Sequence, residues 1–309
     1  MIMDIEQSCA MSLPKISIIT PSLNQGAFLE MAIQSVLNQD YPNVEYLILD
    51  GGSVDESVQI IRKYADRLTF WCSEADRGQV HALNKGLRRA TGDIRAYLCS
   101  DDYYLPGAFR AVAEAFARFP DKKWLAGNCK YVQADGGESI WRAELPGEDR
   151  VRLVCGPWGV PQPANFWRRE LFDTYGLFRE ELEYVMDTEF QVRLALSGEM
   201  PIITETLLAC ARLHPNSKSV KLRHMQLREQ GLFLEFFYQQ LTPEERLQSR
   251  IEFCFREAGV AHKLGNPATT QSLLFLKGLI KAVPISPKRA LKRLLRAAWH
   301  LSGKVQSRV

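Results

Sequence analysis

The sequence predicts an α/β protein whose first half forms a mostly parallel sheet flanked by helices. Short runs rich in Ile, Leu and Val alternate with stretches whose apolar residues recur at helical spacing, which is typical of parallel strands joined by crossover helices. The chain has 309 residues and 46% hydrophobic content, enough to bury a large core. We therefore expect one large domain, or one domain with a helical extension.

The elements of the first half follow in order from this pattern. Apolar runs predict four strands, and helical spacing predicts helices after each of the first two strands, over Gln79–Ala90, and after Pro106-Gly107. The predicted strands are Ile16–Thr20, Val44–Leu49, Leu68–Cys72 and Ile94–Leu98.

The remaining chain is less regular. Between Trp124 and Val220 the pattern is mixed, with strands predicted over Trp124–Val132 and Ile202–Arg212 and a helix over Asp187–Leu196. Beyond residue 221 the sequence predicts helices throughout, and residues 286–301 form a basic amphipathic segment that could lie on an anionic membrane surface. A helix packed on the core or on a partner protein is the alternative for this tail.

Charge and cysteine spacing limit the classes of partner. The net charge of +3, from 39 basic and 36 acidic side chains, gives no reason to expect nucleic acid. The seven cysteines are scattered without a CxxC pair, so we interpret them as core residues in a reducing compartment. No signal peptide or membrane-spanning run is evident, which predicts a cytoplasmic protein, at most peripheral on the inner face of the membrane.

Polar residues follow the predicted strands at their carboxyl ends. Thr20, Asp50 and the Asp101-Asp102 pair each lie at or shortly after the end of an apolar run. Ligands of open parallel sheets bind at that edge, where loops converge and helix N-termini present unpaired N–H groups. The hydrophobic pattern therefore predicts a site along one rim of the sheet.

Asp101 and Asp102 are the strongest pair at this rim. Two adjacent carboxylates at a cleft can hold a hard divalent cation such as Mg²⁺ or Mn²⁺ against a diphosphate. The alternative is that one carboxylate caps the next turn while the other is solvated.

Asp50-Gly51-Gly52-Ser53-Val54-Asp55 offers an acceptor carboxylate and glycines that permit close approach of a ligand. The same residues equally suit a simple turn in which Asp55 caps the following helix. Arg77, Asn84 and Lys85 bring hydrogen-bond donors toward the same rim, where an anionic leaving group would bind.

Two later residues complete the candidate set. Asp187 lies at the start of an amphipathic helix, where the helix dipole favours an ionised carboxylate that can act as general base. A plain helix cap is the alternative. His214 follows a predicted strand and is a candidate metal or diphosphate contact, although a lone histidine in a polar turn is commonly a surface residue.

Together these segments resemble the family 2 glycosyltransferases of the GT-A fold, in particular the branch that builds bacterial surface polysaccharides. The resemblance is close over about residues 14–120, looser to about Ser219, and then ends. It is carried by Ser17–Asn24, Gln34–Gln39, Asp50–Ser53, Ala82–Gly86 and Ser100–Asp102 in that order and spacing.

The resemblance implies an inverting transfer of sugar from a nucleotide-diphosphate sugar to a hydroxyl of a saccharide or lipid-linked saccharide. It implies that Asp187 is the base, that Thr20, Asp50, Arg77 and Asp101 bind the donor, and that Asp101, Asp102 and His214 hold the metal. It divides the chain into an N-terminal extension (1–13), a GT-A domain (14–220, donor half to about 120, acceptor half from 121) and a helical C-terminal region (221–309).

Two positions depart from the family pattern. Cys99 stands where the fuller acidic motif often begins with Asp, which weakens a ribose contact there but leaves the pair of aspartates. His81 stands where many relatives carry an acidic residue, so donor preference can differ.

Competing enzyme classes lack their own motifs here. A nucleotidyltransferase of similar fold would need a Gly-rich basic loop after the first strand, and Pro21–Gly26 has one glycine and no Lys or Arg. A Rossmann dehydrogenase would need GxGxxG at that place. A non-catalytic nucleotide-sugar-binding scaffold of a polysaccharide assembly complex is the remaining alternative, and retention of Asp101, Asp102 and Asp187 favours catalysis.

Overall fold

The computed structural model describes residues 13–147, 149–155, 158–222 and 225–263. They divide into two compact units. The first comprises 13–145 and 159–222, and the second comprises the described residues of 146–158 and 225–263. The amphipathic segment 286–301 and most of the N-terminal extension lie outside the described residues.

The first unit is an α/β domain. Its strands are β1 (Ile16–Ser22), β2 (Val44–Asp50), β3 (Phe70–Ser73), β4 (Ile94–Tyr97), β5 (Tyr103–Tyr104), β6 (Trp124–Gln133), β7 (Glu138–Trp141), β8 (Asn165–Arg168) and β9 (Ile202–Leu213). Its helices are α1 (Gly26–Leu37), α2 (Ser57–Lys63), α3 (Gln79–Arg89), α4 (Ala108–Arg118), α6 (Arg169–Tyr175), α7 (Met186–Leu196) and α8 (Lys218–Lys221), and α5 (Arg150–Cys155) belongs to the second unit. The 3₁₀ turns of this unit span Ala65–Arg67 and Gln162–Ala164.

The strands form one sheet in the order β3-β2-β1-β4-β8-β6-β9-β5, with β7 paired to β6. The first four strands are parallel, as their alternation with helices predicted. In the second half β6 and β9 are parallel, while β5, β7 and β8 pair antiparallel with their neighbours. The predicted α/β fold of GT-A type is therefore confirmed, with a mixed sheet in its second half.

The central strand β1 carries apolar side chains on both faces of the sheet. Ile16, Ile18 and Ile19 have no exposed surface, because helices cover both faces of this central strand. On one face α3 lies so close that a Cβ added at Gly86 would stand 2.5 Å from Ile19 Cγ2. The glycine thereby lets α3 pack directly on β1 and β2, which fixes the position of the helix N-terminus at the sheet edge.

The second unit is helical, as expected for the sequence after residue 221. Besides α5 it contains α9 (Met225–Phe237), a 3₁₀ turn (Tyr238–Gln240) and α10 (Pro243–Lys263). Phe233 and Phe237 are buried and contact each other edge to face with ring centroids 5.3 Å apart. Within the described part of the chain, no helix is both long and apolar enough to cross a membrane.

Candidate active site

The carboxyl ends of β1, β2 and β4 meet at one edge of the sheet, as the hydrophobic pattern predicted. Ser22 pairs in register with Asp50 across β1 and β2, and Leu98, just after β4, donates its N–H to Ile19 O at 3.0 Å. The chain then turns through Cys99 to Asp102. These ends form the rim of the candidate site.

Cys99, Asp101 and Asp102 form the acidic cluster at the centre of this rim. One ligand atom from each lies within 4.8 Å of the others, close enough for a single divalent ion. The set of two carboxylate oxygens and one thiol sulfur fits a divalent metal, and the sulfur favours softer ions than Mg²⁺. Cys99 is thus a rim residue, whereas its apolar sequence context had suggested a plain core thiol.

Asp102 is the buried member of the acidic cluster. Burial, followed by the neighbouring Asp101, raises the pKa of Asp102 well above its usual range, and the Arg212 N–H opposes this shift. The Arg212 backbone N–H donates to Asp102 Oδ1 at 3.0 Å. Asp102 therefore bonds the end of β9 through Oδ1 and is at the same time a member of the acidic cluster.

His214 lies just beyond β9 and contacts Asp101 of the acidic cluster. Its Nε2 is 3.2 Å from Asp101 Oδ2, and its ring lies against Phe28 with centroids 4.5 Å apart. The Arg212 guanidinium lies 4.8 Å from the centroid of Phe28 and donates from Nε to Asp101 O. Residues predicted from distant parts of the sequence thus meet at Asp101.

A second layer of polar contacts surrounds Cys99. Gln79 Nε2 donates to Cys99 Sγ at 3.2 Å, and the thiol lies 3.3 Å from Gln162 Oε1, to which it donates. Lys218 Nζ donates to Gln79 Oε1. Burial raises the pKa of Cys99, and the carboxylates of Asp102 and Asp101 act in the same direction. Sequence analysis missed Gln79 and Gln162, because a single glutamine carries no spacing signal.

Asp187 lies in the first turn of α7 and is partly buried. Burial raises its pKa above the usual 3.8, and this outweighs the Thr188 N–H, which donates to Oδ1 at 2.7 Å, and the charge of Lys218. Desolvation therefore outweighs the effect of the helix start, which was predicted to favour the ionised form. The helix is also not amphipathic, since it buries residues on most sides.

The neighbouring Glu189 has a structural role. Its side chain has no exposed surface and accepts hydrogen bonds from Arg179 Nε at 3.0 Å and Arg193 Nε at 3.1 Å. Arg193 also donates to Tyr175 O and Leu177 O, at 2.7 and 3.0 Å. These bonds fix the start of α7, and hence Asp187, against the preceding loop.

Asp50 is buried and organises the turn after β2. Its Oδ2 accepts the N–H groups of Gly52 and Ser53 at 3.1 and 2.9 Å and the Ser73 hydroxyl at 2.6 Å. Oδ1 accepts the Ser53 hydroxyl. A donor contact would have to use the remaining acceptor capacity of Oδ1. Asp55 acts as the expected cap, accepting from Ser57 N at 3.0 Å and also from Gly26 N at 2.9 Å.

Thr20 is fully buried, and its hydroxyl lies 3.0 Å from the Tyr46 hydroxyl. A side-chain contact between Thr20 and a donor would require exposure that it lacks here. Ser22, two residues on at the end of β1, has a buried hydroxyl without a hydrogen-bond partner among the described residues. This hydroxyl is the better candidate for a ligand contact, and no sequence signal distinguished it from its neighbours.

Arg77 lies on the outer side of the rim with its side chain 72% exposed, and donates to Glu180 Oε2 at 2.7 Å. That hydrogen bond lowers the pKa of Glu180. Asn84 does not face a ligand as predicted, because its side-chain amide is bonded to the backbone of Phe178. Asn84 Nδ2 donates to Phe178 O at 2.8 Å, and Asn84 Oδ1 accepts from Phe178 N at 3.2 Å. Lys85 is ion-paired with Glu74.

A profile of glycosyl transferase family 2 matches residues 17–176, more than half of the chain and the part that contains β1 to β8 and the acidic cluster. The chain belongs to glycosyl transferase family 2. The match makes it a glycosyltransferase and confirms the family that the sequence motifs resemble.

Curated relatives of this glycosyltransferase carry the same general description. An uncharacterized glycosyltransferase of Rickettsia typhi is 34% identical over 246 residues, covering 76% of this chain and 74% of that protein. An uncharacterized glycosyltransferase of Haemophilus influenzae is 40% identical over 96 residues, which cover 30% of this chain and 38% of the relative's own length. A relative in Campylobacter jejuni, named GalNAc(5)-diNAcBac-PP-undecaprenol beta-1,3-glucosyltransferase, is 33% identical over 106 residues, 33% of this chain and 34% of that protein.

Solved structures share the fold at low sequence identity. Residues 1–349 of S. aureus TarS, in complex with UDP-GlcNAc, superpose with a TM-score of 0.63 at 19% identity, covering 89% of this chain and 82% of that one. The mannosyltransferase PcManGT of Pyrobaculum calidifontis, in complex with GDP-Man and Mn²⁺, gives 0.59 at 17% identity, covering 93% and 80%. Both likenesses establish the fold of this family 2 glycosyltransferase.

Proposed function

We propose that this family 2 glycosyltransferase is an inverting enzyme that moves a sugar from a nucleoside-diphosphate sugar to an acceptor hydroxyl. The observation that supports the proposal is that Lys218 interacts with both Asp187 and the acidic cluster. Its Nζ donates to Gln79 Oε1, and Gln79 Nε2 donates to Cys99 Sγ at 3.2 Å. The charge of Lys218 also acts to lower the pKa of Asp187, against the larger effect of burial.

The donor diphosphate binds in this proposal beside Cys99, Asp101 and Asp102, with His214 completing the set. These residues would hold a divalent metal ion, which would neutralise charge on the leaving diphosphate. Lys218, which reaches Cys99 through Gln79, would add positive charge there. Arg77 would contribute charge from the rim, where it pairs with Glu180. The Asp50 turn and the Ser22 hydroxyl contact the nucleoside. The metal-bound mannosyltransferase of the same fold supports the choice of a divalent ion.

Asp187 acts as the general base at its carboxylate. The raised pKa makes the Asp187 carboxylate a stronger base, which favours its taking the proton of an acceptor hydroxyl. Glu189 and the two arginines bound to it keep α7 in place while the proton moves. Attack by the deprotonated hydroxyl on the face opposite the leaving diphosphate inverts the anomeric centre.

The acceptor in this proposal is a saccharide or a lipid-linked saccharide of a bacterial cell-surface polymer, and the reaction takes place in the cytoplasm or at the inner membrane face. The Campylobacter jejuni relative, named for a lipid-linked acceptor, supports this class.

The test is turnover of a panel of nucleoside-diphosphate sugars with Mn²⁺ or Mg²⁺, read as released nucleoside diphosphate, with extracted lipid-linked saccharides as acceptors. We expect one donor to be consumed, with loss of turnover in Asp101→Asn and Asp187→Asn. Asp40→Asn, whose side chain is 90% exposed and ion-paired with Arg110, is the matched control and should retain activity.

The anomeric configuration of the product, read by NMR, tests inversion separately. Retention of configuration would refute the single-displacement mechanism. Donor binding without turnover in the wild type would favour the non-catalytic scaffold, and absence of any donor binding would refute the assigned site.

A further inference from the structure

The hairpin of β6 and β7 presents an unusual aromatic surface. Trp141, the last residue of β7, is 47% exposed, although a large apolar side chain of this kind is normally covered. Tyr131 of β6 lies beside it, with ring centroids 5.4 Å apart and a 37° angle between the rings. We call Trp141 and Tyr131 the aromatic pair.

The indole of Trp141 is held in place despite its exposure. Its Nε1–H donates to Gly159 O at 2.8 Å, and Tyr131 supports one side of the ring. What remains exposed is therefore apolar ring surface, because the polar N–H group already has its partner. A ring fixed in this way loses little conformational entropy on binding a ligand.

Strand register puts Tyr131 near the acidic cluster. Trp141 is opposite Cys129, and Tyr131 is opposite Ala211 of β9, whose neighbour Arg212 donates its backbone N–H to Asp102 Oδ1 at 3.0 Å. Since side chains alternate along strands, Trp141 and Tyr131 share a face and Ile140 points to the other. Burial raises the pKa of the Tyr131 hydroxyl, and the charges of Cys129, Asp102 and Asp187 act in the same direction.

We propose that the aromatic pair is the platform for the saccharide acceptor, with a pyranose ring stacked on Trp141 and a hydroxyl directed toward Asp187. The C–H groups on one face of a pyranose form a flat apolar surface that packs on an aromatic ring, while its hydroxyls remain solvated at the edge. An exposed, pre-positioned indole whose partner Tyr131 lies near the acidic cluster suits such a ligand. The inference rests on the proposed function, and it assigns the binding of the saccharide acceptor to the aromatic pair.

The experiment uses the full chain, in which all six tryptophans are replaced by 5-fluorotryptophan. Each labelled position is followed by its ¹⁹F NMR resonance. Trp141→Phe identifies the Trp141 signal. Methyl β-glucoside, methyl β-galactoside and methyl N-acetyl-β-glucosaminide are titrated to tens of millimolar, with the linear polyol sorbitol as the non-cyclic control. Nucleoside diphosphate binding with Mn²⁺ is measured by calorimetry on the same sample.

We expect the Trp141 signal to shift with at least one pyranoside and not with sorbitol. Ile140→Ala, a substitution on the opposite face of the same strand at a side chain that is 54% exposed, should preserve this shift. A Trp141 signal that stays unchanged, or moves equally with sorbitol, overturns the platform. If nucleotide binds in that case, the proposed function stands without it. If Trp141 responds but no nucleotide binds, the saccharide site stands and the proposed donor site fails.

Discussion

His214 Nε2 lies 3.2 Å from Asp101 Oδ2, although 113 positions separate the two residues in the chain. The imidazole is held against Phe28 and its side chain is only 12% exposed. Its geometry is therefore fixed at the acidic cluster, where it can serve as a metal ligand or orient Asp101.

Replacing His214 by Gln should weaken divalent metal binding by about 10- to 100-fold, because the ring either coordinates the ion or orients a carboxylate that does. Calorimetric titration of Mn²⁺ in the presence of a nucleoside diphosphate measures this directly. Asp40→Asn serves as the control. Unchanged Mn²⁺ affinity in His214→Gln would remove the histidine from the metal set.

Replacing Asp187 by Asn should lower kcat by about 10²- to 10⁴-fold, the usual contribution of a general base. In the wild type, the base works only when deprotonated, so activity should fall as the pH drops through a pKa that burial has raised above 3.8. The pH dependence of kcat measures this acidic limb. A limb at or below the ordinary aspartate pKa, or full activity of the Asn variant, would contradict the assignment.

Asp187 should also lower the stability of the folded protein at neutral pH. A folded-state pKa above the unfolded one means that the native state binds the proton more tightly, so stability falls as the pH rises through the raised pKa. Asp187→Asn should therefore melt higher than the wild type at pH 8 and nearly equally at low pH. Thermal unfolding at both pH values checks the sign, and a lower melting temperature of the Asn variant at pH 8 would contradict it.

Replacing Glu189 by Ala should destabilise the protein by about 3 to 5 kcal/mol, because it removes the fully buried carboxylate to which Arg179 and Arg193 are ion-paired. Urea unfolding measures the loss. Asp173→Ala is the matched control, since this carboxylate is 61% exposed in its ion pair with Arg169. Its removal should lower the free energy of unfolding by less than about 1 kcal/mol. Equal effects of the two substitutions would show that the Glu189 cluster does not hold α7.

Replacing Cys99 by Asp should shift metal preference toward Mg²⁺, because a hard oxygen takes the place of a soft sulfur in the cluster. Calorimetry gives the ratio of Mg²⁺ to Mn²⁺ affinity for both proteins. With Co²⁺, the wild type should show a sulfur-to-metal absorption band in the near ultraviolet, and Cys99→Ser should abolish it. A wild type without that band would place the thiol outside the metal shell.

The order of the elements and the rim were predictable because they follow from local patterns. The apolar run at Ile16–Thr20 and the polar residues at the end of β2 and after β4 are enough to place Asp50, Asp101 and Asp102 along one edge. Boundaries differ by a residue or two, as where β3 spans Phe70–Ser73 against the expected Leu68–Cys72.

Side-chain environments were not predictable in the same way. The raised pKa of Asp187 depends on how deeply neighbouring elements bury it, and the direction of Asn84 depends on the backbone of Phe178 from the other half of the chain. Neither contact leaves a trace in local spacing. The aromatic pair was missed for the same reason, because Trp141 and Tyr131 meet only through strand pairing.

The hydrogen bond from the Arg212 backbone to Asp102 ties the end of β9 to the loop after β4. Position 102 is therefore constrained by folding as well as by metal binding. A descendant that had lost transferase activity would still gain from a side-chain oxygen there, from aspartate or asparagine, to accept this N–H. Survival of an acceptor at position 102 in a distant homologue is thus weaker evidence of turnover than survival of Asp101 and Asp187, whose side chains bind no backbone N–H of β9 among the described residues.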